Sequence, residues 1–177
     1  MTALGGAVAW FTGLPASGKS TLAGRVRDRL SRAGVRAILL DGDEVRRSLV
    51  PAPGYGPADR DAFYATLARL ASLLAHQGHV VLVAATAPRR AYRAQGRSLA
   101  PRFLEVYLAT PAADCQARDP KGLWAAAEAG DLRELPGAGA PYEAPASPDV
   151  VAQGGEDDSA AREVATRLAP GGWAEVR

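Results

Sequence analysis

Cysteine, lysine and aromatic residues are all scarce in this sequence of 177 residues. The single cysteine, Cys115, excludes an internal disulfide. No Met-led apolar segment has the length of a signal peptide or of a membrane-spanning helix, so we expect a cytoplasmic protein without a membrane partner. The formal net charge of +2 is too small to indicate nucleic-acid binding by itself, and we expect no nucleic-acid partner.

The shortage of lysine is informative because basic residues as a whole are not scarce. Of the 21 basic residues, only Lys19 and Lys121 are lysines, and the others are arginines. Arginine carries a flat, forked cation, whereas lysine places a compact charge on a flexible stem, so the two do not exchange freely where a point charge must enter a tight phosphate site. Lys121 is therefore a candidate functional residue, and an ordinary surface lysine is the alternative.

The composition is that of a globular protein, with 47% hydrophobic and 23% charged residues. The length predicts one domain over residues 1–177. Buried-strand patterns alternate with helical ones, which predicts an α/β fold: a three-layer αβα sandwich around a mostly parallel five-stranded sheet. We expect strands at 7–12, 37–40, 80–85, 103–108 and 149–152, and helices at 19–32, 59–78, 119–130 and 159–168. Residues 1–6 and 170–177 are expected to be flexible tails, and the loop 136–148 is long enough to act as a lid.

One stretch, Gly13-Leu14-Pro15-Ala16-Ser17-Gly18-Lys19-Ser20, matches the phosphate-binding pattern G-x-x-x-x-G-K-[ST] between a predicted strand and a predicted helix. The glycines let successive backbone amides point at the phosphates of a nucleotide, and the helix N-terminus adds a positive dipole. Lys19 can reach the β and γ phosphates, and the Ser20 hydroxyl can bind Mg²⁺. These features predict a P-loop NTPase-type fold with nucleotide-binding residues Gly13, Ala16, Ser17, Gly18, Lys19, Ser20 and Thr21.

Charged residues elsewhere in the sequence each allow a functional and a structural interpretation. Asp43 follows the second predicted strand, where it can orient an acceptor hydroxyl or a Mg²⁺-bound water, or cap a helix. Arg60 lies in the first turn of a helix, where a cation opposes the helix dipole, so it has either an anionic partner or only solvent. A run of arginines can face phosphates or form a solvated helix face; its members are Arg89, Arg90, Arg93, Arg97 and Arg102.

Several separated motifs occur together in one known family. They are Phe11 to Thr21, Leu40-Asp41-Gly42-Asp43-x-Val45-Arg46, Gly54-Tyr55 with Asp59-Arg60, Arg118-Asp119-x-Lys121-Gly122-Leu123, and Pro141-Tyr142-Glu143-Ala144-Pro145. With these motifs the sequence resembles the adenylyl sulfate kinases, which phosphorylate the 3′-hydroxyl of adenosine 5′-phosphosulfate with MgATP.

The resemblance implies ATP and Mg²⁺ as cofactors and a nucleotide as the small-molecule substrate, and it leaves a homodimer open. Lys19, Asp43 and Lys121 are then the expected catalytic residues, and Arg118 is expected on a lid over ATP. The residues expected at the acceptor are Asp43, Arg46, Tyr55, Arg60, Lys121 and Leu135.

Departures from the family pattern cluster in the acceptor half. Phe63 and Thr66 stand where the family has Asn and Arg, and Leu135 replaces a Phe that stacks on the acceptor adenine. Ala87 replaces a Ser that many members carry, so we expect direct transfer from ATP without a phosphoserine at that position. Adenylyl sulfate is the leading acceptor; the alternatives are a related kinase for another alcohol and a non-catalytic nucleotide-binding regulator.

Overall fold

A computed structural model of the chain describes residues 5–172. Within that range the strands are β1 (Ala7–Thr12), β2 (Ala37–Asp41), β3 (Val80–Ala84), β4 (Phe103–Leu108), β5 (Leu135–Pro136), β6 (Gly139–Ala140) and β7 (Val150–Ala152). The helices there are α1 (Lys19–Arg32), α2 (Gly42–Ser48), α3 (Pro57–His76), α4 (Arg90–Leu99), α5 (Ala112–Arg118), α6 (Leu123–Glu128) and α7 (Asp158–Leu168).

Five strands form the main sheet in the order β2-β3-β1-β4-β7, and all of their pairings are parallel. The predicted α/β fold with a five-stranded sheet is confirmed. Because parallel strands all point the same way, their carboxyl ends meet at one edge of the sheet, and the loops that follow them can build a common site. The central position of β1 places the loop after it, residues 13–18, in the middle of that edge.

The side chains of β1 divide the core into two halves. Alternate residues of a strand point to opposite faces of the sheet. Ala7, Ala9 and Phe11 pack with buried side chains of α1 and α7, whereas Val8 and Trp10 pack with those of α3. The sheet is therefore covered on both faces, which gives the predicted three layers.

Most predicted elements lie within two residues of their observed bounds. Helix α3 begins at Pro57 rather than Asp59, since proline fits the first turn of a helix, where its missing N–H costs nothing. The last strand excludes Asp149, whose carboxylate instead accepts hydrogen bonds from the Glu105 amide and from Arg97, both at 2.7 Å. Helix α5 was not predicted, because its seven residues carry too short a pattern to detect.

The predicted lid loop, 136–148, is partly structured. Strands β5 and β6 pair at its start. Further on, the Tyr142 and Thr12 hydroxyls lie 2.9 Å apart and the Glu143 amide donates to the Pro88 carbonyl at 2.8 Å. A lid role for this segment stays a prediction. The predicted tails lie largely outside the described residues, and no helix within 5–172 is long and apolar enough to span a bilayer.

Candidate active site

A cavity of about 780 Å³ opens at the carboxyl edge of the sheet. Residues from the P-loop, from the ends of β2 and β3, and from the segment between α5 and β5 line it together. Of the predicted site residues, the structure brings Ala16, Gly18, Lys19, Ser20, Thr21, Asp43, Arg46, Tyr55, Arg60, Arg118, Lys121 and Leu135 to its wall. Gly13 and Ser17 are not among the lining residues.

The P-loop can curl tightly after β1 because two of its residues adopt backbone conformations that most residues avoid. Gly18 has a φ of 97°, and Ala16 a φ of 64°. A Cβ at Gly18 would lie 2.5 Å from the Gly155 amide nitrogen, and one at Gly13 would lie 2.8 Å from the Ser17 hydroxyl. Both glycines are therefore required by close packing, and Gly18 also by its positive φ.

The loop is held by hydrogen bonds on the side away from the cavity lining. The Ser17 carbonyl accepts a hydrogen bond from the Thr110 hydroxyl at 2.9 Å, and the Pro15 carbonyl accepts one from the Trp124 indole at 3.1 Å. Ser17 itself is fully buried. These bonds to segments far along the chain hold the loop in its curled shape.

Lys19 folds over the loop that it follows. Its ammonium group donates to the carbonyls of Gly13 and Leu14 at 3.1 and 2.8 Å. Burial lowers the pKa of Lys19 to about 8, an effect that the nearby Cys115 and Asp43 oppose. A partly buried cation beside the curled loop is suited to an anionic ligand, because phosphate oxygens restore the charge compensation that burial removes.

Ser20 and Asp41 meet at the end of β2, where the Ser20 hydroxyl donates to the Asp41 carboxylate. Asp41 also caps α2, accepting from the amides of Asp43 and Glu44 at 3.0 and 3.4 Å. The expectation that Asp43 could be the cap is therefore wrong. Asp43 lies in the first turn instead, with its side chain directed to another partner.

The pair of Ser20 and Asp41 suits Mg²⁺, since hydroxyl and carboxylate oxygens are the ligands that this ion prefers. The described residues contain no group of three His, Cys, Asp or Glu side chains able to hold a metal alone. Such a sparse protein site is typical of Mg²⁺ that is bound mainly through nucleotide phosphates and water. Sequence reasoning missed Asp41, although an acidic residue at a strand end was a usable signal.

Asp43 forms an ion pair with Lys121 across the cavity wall. Both side chains are at least half exposed, so the pair contributes little to stability, and each group stays accessible to a ligand. This contact favours the functional interpretation of Lys121 over that of an ordinary surface lysine.

The acceptor-side residues form a second cluster. The Arg46 guanidinium carbon lies 3.9 Å from the centre of the Phe63 ring and 4.5 Å from that of Tyr55. Arg60 donates to the Glu134 carbonyl at 2.6 Å, and so it is not simply a solvated arginine. Leu135 lines the cavity but is only 4% exposed, because it packs with Trp124 in a small separate core.

Other lining residues were not among the predicted site residues, although the family pattern had placed Phe63 in the acceptor half. Phe63, Tyr64 and Thr86 contribute to the wall, and so does Glu156, which forms an ion pair with Arg25. Burial raises the pKa of Tyr64, which keeps its phenol protonated. Gly154 and Gly155, which precede Glu156, could have indicated a turn in this last segment.

The arginine run Arg89, Arg90, Arg93, Arg97 and Arg102 lies outside the cavity wall. The solvated-face interpretation is wrong for Arg93, which is 1% exposed and pairs with Glu105 at 2.7 Å. Arg93 also donates to the carbonyls of Ala87 and Glu143. Since Ala87 has a φ of 42°, these bonds hold a strained turn beside the cavity.

Known proteins that are similar in sequence to this chain are adenylyl-sulfate kinases. A family model described as adenylylsulphate kinase matches residues 5–153. An adenylyl-sulfate kinase of Citrobacter koseri is 46% identical over 147 residues, which cover 82% of this chain and 73% of the relative. One of Yersinia pestis is 46% identical over 151 residues, covering 84% and 71%.

A solved structure shows the same fold. The Mycobacterium tuberculosis APS kinase CysC in complex with AMPPNP and APS is 41% identical and superposes with a TM-score of 0.84, covering 90% of this chain and 95% of that one.

Proposed function

Because the chain belongs to the adenylyl sulfate kinase family, we propose that it transfers the γ-phosphoryl group of ATP to the 3′-hydroxyl of adenosine 5′-phosphosulfate. The products are ADP and 3′-phosphoadenosine 5′-phosphosulfate. A matched solved structure is a complex with AMPPNP and APS, which supports one protein surface binding both substrates.

The observation that carries the proposal is that one cavity is lined both by P-loop residues, Lys19 and Ser20 among them, and by the Asp43–Lys121 pair. A protein that only bound a nucleotide would need the loop alone. Phosphoryl transfer also needs groups that align an acceptor and neutralise charge on the transferred group. The acidic and basic side chains facing the loop supply both.

Each residue has a defined task in this proposal. The loop amides and Lys19 bind the phosphates of ATP, and Ser20 with Asp41 would hold Mg²⁺. When bound, the ion supplies positive charge at the phosphate oxygens. Asp43 orients the acceptor hydroxyl and accepts its proton, while Lys121 stabilises negative charge on the transferred group.

The acceptor is bound by cations and an aromatic ring. Arg46 and Arg60 face the cavity from α2 and α3, and Tyr55 offers an aromatic surface for stacking against a purine. Arg118 also lines the cavity, and we assign it to ATP. Ala87 has no hydroxyl group that could carry the phosphoryl group, so we propose direct transfer from ATP.

We further propose a cytoplasmic location, and a homodimer stays a prediction.

The test is to incubate the purified protein with MgATP and adenosine 5′-phosphosulfate and to measure ADP and 3′-phosphoadenosine 5′-phosphosulfate together. We expect equal amounts of both, no protein-bound label from γ-labelled ATP, and no product with Lys19→Ala. A panel of other small alcohols runs in parallel. Turnover of another alcohol alone would contradict the proposed acceptor, and ATP binding without any turnover would favour a regulator.

A further inference from the structure

Arg46 is an unusual residue for the wall of an open cavity. It carries a full charge, yet it is 8% exposed. Its guanidinium lies over two aromatic rings, 3.9 Å from the centre of Phe63 and 4.5 Å from the centre of Tyr55. Such stacked contacts stabilise a cation most when it is shielded from water.

The edge of the same guanidinium also donates hydrogen bonds. Arg46 Nη1 donates to the carbonyls of Pro53 and Gly54 at 3.3 and 2.6 Å. These carbonyls belong to the loop between α2 and α3, which carries Tyr55. Arg46 therefore connects the Tyr55 loop to the body of the protein through both a ring contact and hydrogen bonds.

Phe63 provides the rigid side of this arrangement. It is 3% exposed on α3, and its ring makes an edge contact with Tyr64 at 5.2 Å between centres. Tyr64 in turn stacks on Tyr92 at 4.5 Å. Tyr55, at the other end of the stack, is 61% exposed and lines the cavity. The stack thus runs from the packed core to an aromatic ring at the cavity.

We propose that Phe63 is a positioning residue for the acceptor: it holds the Arg46 guanidinium against Tyr55, so that the Tyr55 ring is fixed for stacking on a purine. This inference rests on the proposed function. An exposed aromatic ring on a loop with several prolines and glycines loses conformational freedom when a base stacks on it. A ring already held from behind has less freedom to lose, and it binds the base more tightly.

Phe63 then supports the acceptor indirectly, whereas the residue at this position in the family pattern contacts the acceptor directly. An asparagine at this position would be a polar contact for the acceptor. The phenylalanine of this chain contacts Arg46 instead, and so it acts through Tyr55. Restoring asparagine is therefore expected to weaken acceptor binding rather than improve it.

The test compares Phe63→Leu with Phe63→Tyr and Leu67→Ala. Phe63→Leu keeps an apolar side chain but removes the ring, and we expect the KM for adenosine 5′-phosphosulfate to rise about tenfold with kcat and the KM for ATP nearly unchanged. Phe63→Tyr keeps the ring, so its KM should stay close to that of the wild type. Leu67→Ala, one turn further along α3 and fully buried away from the cavity, should lower Tm without changing that KM.

A double-mutant cycle with Tyr55→Ala shows whether Phe63 acts through the ring. We expect Tyr55→Ala to raise the KM in the wild type and to add little in Phe63→Leu, because the ring is no longer held there. Independent, multiplying effects would overturn the inference, and so would an unchanged KM in Phe63→Leu. In both cases the wild-type activity, and with it the proposed function, would stand. A wild type that does not phosphorylate adenosine 5′-phosphosulfate would overturn both.

Discussion

At the scale of single residues, Lys19 links the pH of the solution to nucleotide binding. Burial lowers its pKa to about 8. In the free protein the ammonium group therefore loses its proton above about pH 8. We expect kcat/KM for ATP to fall about tenfold per pH unit above that value, whereas kcat falls only at higher pH because bound phosphates raise the pKa.

The control for this pH dependence is Lys121→Arg, whose cation does not titrate in that range. Steady-state kinetics between pH 6 and 10 with both proteins separates the two lysines. If the decline near pH 8 disappeared in Lys121→Arg, Lys19 could not be its source.

The same pKa also affects stability. The folded pKa of Lys19, about 8, lies below its ordinary value of 10.5, so the unfolded chain binds more protons between these two pH values. The contribution of Lys19 to the free energy of unfolding should therefore increase as pH rises from 8 towards 10.5. Urea unfolding of the wild type and of Lys19→Met at several pH values measures it. We expect the wild type to gain stability relative to Lys19→Met as pH rises from 8 towards 10.5.

A substitution of Asp43 tests the chemical step separately from ATP binding. Asp43→Asn removes the proton acceptor but keeps the size of the side chain, and we expect kcat to fall by roughly 10²- to 10⁴-fold. The KM for ATP should change little, since Asp43 belongs to the acceptor half of the cavity. Asp28→Asn, an exposed carboxylate on α1, is the control. An Asp43→Asn protein with nearly full kcat would contradict the role assigned to Asp43.

At the scale of elements, the P-loop depends on the turn after β7. A Cβ at Gly155 would lie 2.8 Å from the Gly18 carbonyl and 2.9 Å from the Thr21 side chain. Gly155→Ala should therefore displace the start of α1, raise the KM for ATP, and destabilise the protein by about 1–3 kcal/mol.

Gly24→Ala is the matched comparison, because a Cβ at Gly24 meets nothing within 4 Å and the residue lies inside α1. This change should stabilise the protein by about 0.5–1 kcal/mol and leave the kinetics unchanged. Thermal unfolding and ATP kinetics of the two variants are sufficient. Equal behaviour of both glycines would show that the close packing at Gly155 has no consequence.

Helix α4 is attached to the sheet through a buried arginine. Arg93→Met leaves Glu105 partly buried without its main partner and frees the Ala87 turn, so we expect a loss of about 3–5 kcal/mol. Arg97→Met, which breaks a more exposed pair with Asp149, should cost at most about 1 kcal/mol. Urea unfolding measures both, and similar losses would contradict the structural role of Arg93.

The elements that the sequence predicted well are those with long, regular patterns. The strand around Trp10 is an apolar run, and α1 repeats apolar residues every four positions, so both could be located closely. Helix α5 and strands β5 and β6 are short, and packing rather than a sequence pattern determines them: Cys115 of α5 and Leu135 of β5 share a small core with Trp124, and β6 pairs with β5. The burial of Arg93 has the same cause, since nothing near it in the sequence indicates its contact with Glu105.

At the scale of the whole molecule, the motifs predicted twelve of the residues that line the cavity but not the contacts that support them. Lys19, Asp43 and Lys121 were identifiable because their chemistry is carried by short patterns. Asp41 was marked only by its place at the end of a strand, and the contribution of Phe63 could not be derived from those patterns. Asp41 acts through a helix cap that also contacts Ser20, and Phe63 through a stack on Arg46, and both depend on where the chain folds back.

The contact between Gly18 and Gly155 has a consequence for the newly made protein. The P-loop is synthesised early, but the turn that supports it is synthesised only after β7. The central strand β1 likewise waits for β3 and β4 before it has any neighbours. We therefore expect the emerging polypeptide to bind ATP only after nearly all of the sheet has been translated, so that nucleotide stabilises the folded domain and not its partly made forms.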